Sequence, residues 1–133
     1  MVDSWIHLQD IRDALLEPDD DHGPGEEIVV NRFESALPYI VGKKAGLFDG
    51  QSVRMNLTGR LARSVSLEIT NSRAVVRTVL ELPSVEITTP VALFWRRCAG
   101  RISNEAFLSA SATDVRGDAN LAERITSQMV VMI

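Results

Sequence analysis

The sequence predicts an α+β domain: a twisted, mainly antiparallel sheet of about five strands covered by helices, with an extra helix at the N-terminus. Three observations predict it. Apolar residues recur at three- and four-residue steps from Val2 to Leu16 and from Ile28 to Val41. After Phe48-Asp49-Gly50 the period changes to two, and beyond Thr89 helix-capping signals alternate with one more short strand.

Val2, Trp5, Ile6, Leu8, Ile11, Leu15 and Leu16 give the first segment, residues 1–16, an amphipathic helical pattern. Glu17 to Gly25, with two prolines, two glycines and three consecutive aspartates, reads as a loop. Glu26 and Glu27 suit the first turn of a second helix, whose apolar face is Ile28, Val29, Phe33, Leu37, Ile40 and Val41. Pro38 should kink or split it.

Val53, Met55 and Leu57 alternate with Arg54, Asn56 and Thr58, a half-buried strand. Val65, Leu67 and Ile69 repeat the pattern, and Asn71-Ser72 turns the chain into a third strand through Ala74, Val76 and Thr78. Val85 to Thr88 is a fourth short strand. Thr89-Pro90 opens a helix that runs to Gly100, Ser103 to Leu108 forms a helical turn, and Ser111 to Arg116 supplies a fifth strand. Asp118 caps a last helix from Ala119 to about Met129. Residues 26–133 therefore read as one domain.

The chain has 133 residues, 45% of them hydrophobic and 24% charged, which is enough to bury a core. A formal net charge of -4 argues against a nucleic-acid partner, whose phosphates call for clustered Lys and Arg. No stretch approaches the ~20 apolar residues of a membrane span. The N-terminus lacks the pattern of a signal peptide, so a cytoplasmic location is expected. Cys98, the single cysteine, has no internal disulfide partner and sits in an apolar run. No phosphate loop, nucleophile elbow or Cys-x-x-Cys pair is present, so the chain alone reads as catalytically incomplete.

Gly100-Arg101-Ile102-Ser103-Asn104-Glu105-Ala106-Phe107, followed by Val115-Arg116-Gly117-Asp118 and Leu121-Ala122, resembles the closing half of sterol carrier protein domains. That resemblance implies an apolar groove between sheet and helices, holding a small hydrophobic or acyl ligand. The N-terminal His7-Leu8-Gln9-Asp10-Ile11-Arg12-Asp13-Ala14-Leu15 resembles the last helix of the metal-binding bundle in mycothiol-dependent maleylpyruvate isomerases. By that resemblance His7, with Asp3 one turn earlier, would stand where the family ligates a metal. No cofactor is expected of the chain alone. A divalent metal such as zinc, together with mycothiol, would enter if the missing bundle were supplied elsewhere.

Side chains four apart share a helix face, so His7 and Asp3 could reach one ion, but two ligands fall short of the usual three. Asp19 to Asp21 with His22 lacks the spacing of a calcium loop. Phe94 and Trp95 read either as core or as the wall of a ligand tunnel. Arg101 and Arg116 are candidates for pairing with a ligand carboxylate, since an isomerase-like chain would draw an essential arginine from this region. With no bundle to cover it, the first helix is expected to form a homodimer anchored on Trp5. The functional expectation is a ligand-binding module, with a truncated or split subunit of a mycothiol-dependent, divalent-metal isomerase or thiol transferase and a structural dimerisation protein as alternatives.

Overall fold

The computed structural model describes residues 2–14 and 24–131, apart from the side chains of residues 3 and 12–14. The acidic run Asp19 to Asp21, His22 and the side chain of Asp3 lie outside that description. In chain order the elements are α1 (Val2–Ala14), α2 (Pro24–Tyr39), β1 (Ser52–Thr58), β2 (Arg63–Thr70), β3 (Arg73–Arg77) and β4 (Val85–Pro90). They are followed by α3 (Val91–Cys98), α4 (Asn104–Ser109), β5 (Asp114–Gly117) and α5 (Ala119–Ser127). The strands form one sheet in the order β3-β2-β1-β4-β5.

The predicted meander is present. β1 pairs antiparallel with β2 and β2 with β3, joined by Asn71 and Ser72, whose φ values of 52° and 65° are those of a tight hairpin turn. β4 then lies parallel to β1, with Val53 opposite Val85 and Met55 opposite Ile87. Residues 78–84 must therefore cross β2 and β1 to reach it. β5 closes the far edge antiparallel to β4.

Strand alternation sends Val53, Met55, Leu57, Leu67, Ile69, Val85 and Ile87 to one face, where they are buried with Phe33, Leu37, Phe94, Phe107 and Ile125 of the helices. Gly117 lets β5 turn directly into the helix capped by Asp118, whose carboxylate accepts from Leu121 N at 3.1 Å. Its φ is +94°, and a Cβ there would lie 2.4 Å from the Ser84 carbonyl oxygen, so only glycine fits.

Four expectations are corrected. Pro24 and Gly25 belong to the first turn of α2 rather than to a loop. Proline is tolerated there because its missing N–H has no helical acceptor anyway, and Gly25 leaves room for the Trp5 indole, which a Cβ would meet at 2.2 Å. Pro38 does not split α2. The helix continues through it and widens at Ile40–Lys44 into a π-helical turn, with Ala45 N donating to Ile40 O at 2.8 Å. Thr89 is a buried strand residue hydrogen-bonded to Thr113, and α3 starts after Pro90.

The fourth correction concerns α1, whose apolar face is covered by its own chain. Trp5 is 6% exposed and Ile6 fully buried, and the Trp5 ring meets Trp95 edge to face with centroids 4.8 Å apart. Leu8 and Ile11 are the large apolar residues that α1 leaves at the surface, 40% and 57% exposed. Trp5 is thus spent within the chain and is unavailable as a dimer anchor. No helix among the described residues is long and apolar enough to cross a membrane.

Candidate functional site

Because side chains alternate along a strand, the residues between the core positions line the opposite face of the sheet. Arg77, Ser66, Arg54, Glu86 and Arg116 fall in one row across all five strands. Arg54 is the hub. Its Nη1 donates to Glu86 at 3.1 Å, its Nε reaches Ser66 Oγ at 3.4 Å, and its Nη2 donates to the Leu80 carbonyl of the crossing segment. Asn56 donates to the same Glu86 oxygen at 3.0 Å and to Thr88 at 3.1 Å, and Arg77 donates to Glu68 at 3.1 Å. Hydrogen bonds from Asn56 and then Arg54 hold the Glu86 carboxyl below its ordinary range.

β2 begins at Arg63 but β3 ends at Arg77, opposite Ser66, so Ser64 and Val65 have no neighbour on that side. The notch is flanked by α2 on one side and by the crossing segment on the other. It opens a groove of about 530 Å³, within the range of roughly 300–1,000 Å³ typical of small-molecule sites. Pro38, Val65, Val76 and Leu80 supply its apolar surface, and Ser64, Ser66, Thr78 and Ser35 supply hydroxyls. Its cations Arg54 and Arg77 are already paired with Glu86 and Glu68. Such a lining suits an apolar body with a neutral polar end better than a free charge, since a carboxylate would have to compete with the resident glutamates.

Phe94 and Trp95 are wholly buried in α3 and do not line this groove. Trp95 meets Trp5 edge to face and carries the Arg96 guanidinium 4.3 Å from its ring centroid. Arg101 is tied to Asp10 by two bonds of 2.8 and 3.2 Å, which lowers the Asp10 pKa and raises that of Arg101. Arg116 is 77% exposed and bonds to Asp114 at 3.0 Å. His7 is 68% exposed with its Nδ1 3.7 Å from Asp10. No group of three or more His, Cys, Asp or Glu side chains among the described residues could hold a metal.

The sheet-face network of Arg54, Asn56, Glu68, Arg77 and Glu86 is absent from the sequence-derived candidates. Alternation marks each of these residues as outward-facing, but only the strand order brings Arg54 beside Glu86, 32 positions later.

No protein-family model matches the chain, and no curated protein matches it in sequence. Solved structures do match in shape. Sterol carrier protein 2 like 2 from Aedes aegypti superposes with a TM-score of 0.58 at 14% identity, over 75% of this chain and 95% of that one. Its palmitated form in solution gives 0.53 at 13% identity, over 80% and 95%. A UbiJ-SCP2 ubiquinone synthesis protein gives 0.55 at 13% identity, over 80% of this chain and 96% of that one. The fold is that of sterol carrier protein 2 domains.

Proposed function

We propose that the chain is a binding module for a small apolar molecule, an acyl chain or a body of similar bulk with a neutral polar end, seated in the groove between α2 and the short edge of the sheet. The observation that carries this reading is the groove itself, with its aliphatic surface, hydroxyl rim and arginines neutralised by resident carboxylates. The fold supports it, because a protein of the same architecture is described as palmitated. Native mass spectrometry of the purified chain is expected to show a co-purifying apolar ligand, or uptake of one equivalent of added acyl ester. Neither mass shift at micromolar protein would refute it.

A second reading makes the chain part of a mycothiol-dependent isomerase or thiol transferase, with zinc and mycothiol completed by another polypeptide. The Asp10–Arg101 pair supports it, since it joins the helix resembling the isomerase bundle to the glycine turn resembling the carrier domain. Its test is zinc content of the chain after co-expression with a candidate bundle protein, and a His7→Ala variant that keeps all the zinc would refute it. Among the described residues of α1, Leu8 and Ile11 are the large apolar side chains open to self-association.

A further inference from the structure

Arg97 is a cation with nowhere obvious to put its charge. It is 7% exposed, and its hydrogen bonds all go to neutral carbonyls: Thr126 at 3.1 Å, Ile102 at 2.8 Å and Ser127 at 3.5 Å. Two of these close the C-terminal end of α5, where the helix dipole offsets part of the charge. No carboxylate among the described residues pairs with it. A buried guanidinium without a counter-ion is costly, and burial accordingly lowers its pKa.

Arg97 lines a pocket of about 450 Å³ at the turn between α3 and α4, and Arg101 lines the same pocket. Arg101 donates two N–H groups to Asp10 and one to Ala99 O. A guanidinium has five N–H donors, so each of the two arginines keeps two unspent. Asp10 is ion-paired with Arg101 alone, and the carboxylate that acts on Arg97 is Glu123, by attraction without an ion pair. Glu123 accepts from the neutral Asn104 amide at 2.7 Å and keeps its charge. Ser103 adds a hydroxyl to the rim, and Ile102 and Val130 add short apolar flanks.

We propose that this pocket is an oxyanion site, in which Arg97 and Arg101 together hold a carboxylate or phosphate group bearing a small apolar substituent. The guanidinium fork suits both anions, and the pocket is separate from the groove beside β2.

The test follows the side-chain Nε–Hε signals of Arg97 and Arg101 in proton–nitrogen spectra. Inorganic phosphate, acetate, and phosphatidylcholine vesicles containing phosphatidic acid are added in turn, against sodium chloride of matched ionic strength. Saturable movement of both signals with phosphate or acetate supports a soluble ligand. A response confined to the phosphatidic acid vesicles supports a lipid headgroup. Arg101→Gln, which leaves the three carbonyl bonds of Arg97 in place, is expected to weaken binding about tenfold or more. Asp10→Asn is expected to do the reverse, because it removes a repelling negative charge and frees one of the two donors that Arg101 gives to Asp10. No saturable movement with any of the three probes, or the same affinity in both variants as in the parent chain, overturns the proposal.

Discussion

Truncating Trp5 to alanine tests how α1 is held. The indole is 6% exposed and packs edge to face on Trp95, across a 4.8 Å centroid separation. A buried tryptophan hides roughly 150–250 Å², which at about 25 cal/mol per Å² amounts to about 4–6 kcal/mol. Part of that area is already hidden in the unfolded chain. The Trp5 N–H finds no acceptor among the described residues, and its buried desolvation penalty of about 1–3 kcal/mol is relieved by the truncation. A net loss of about 3 kcal/mol follows, at the lower end for buried aromatic truncations. For a chain of this size that lowers Tm by roughly 10 °C. Urea titration read by circular dichroism gives the stability, and Trp95, then the only tryptophan, reports separately whether α1 has let go. If undocking α1 costs less than global unfolding, Trp95 emission shifts to the red while the sheet stays folded. A loss below about 0.5 kcal/mol with unchanged Trp95 emission would refute this picture of α1.

Three further outcomes follow. Asp10 has its pKa lowered by Arg101, so the pair contributes stability above the ordinary carboxyl value of 3.8 and loses it as pH falls below. Asp10→Asn should flatten the acid limb of the stability curve by about 1 kcal/mol or less, as befits a pair that is a third exposed; an unchanged limb contradicts the pairing. Burial pushes the Cys98 thiol well up, so a thiol reagent at neutral pH should modify it at the unfolding rate, and rapid labelling of native protein would place it at the surface instead. Gly117→Ala should cost upwards of about 2 kcal/mol in denaturant titration, from a positive φ and a collision with Ser84 O.

Much of the fold could be read from periodicity, because the central strands β1, β2 and β4 each have one buried face. Val53, Met55 and Leu57, and again Val65, Leu67 and Ile69, alternate cleanly, and Gly117-Asp118 marks the turn into α5. The parallel pairing of β4 with β1 left no local signal, since strand order depends on a crossing segment with no periodicity of its own. The groove was illegible for the same reason: it exists where β3 stops short of β2, a fact of register rather than of composition. Phe94 and Trp95 face inward as their helical spacing implies, but inward here means packed core. Arg101 was legible as a residue beside the glycine turn, and its partner Asp10, 91 positions earlier, was not. Arg97, flanked by Arg96 and Cys98, carries no sequence mark of its burial.

The neutral character of the groove is the claim most open to direct measurement. Displacement of a fluorescent acyl probe by methyl palmitate and by palmitate, in the parent chain and in Val76→Glu, reads it in one titration. Val76 is 60% exposed on the groove wall, so the substitution should leave the fold intact. The ester is expected to displace the probe at least as well as the free acid, and Val76→Glu to weaken both by about tenfold. Palmitate binding far more tightly than its ester, or affinity unaffected by Val76→Glu, would move the ligand away from this groove.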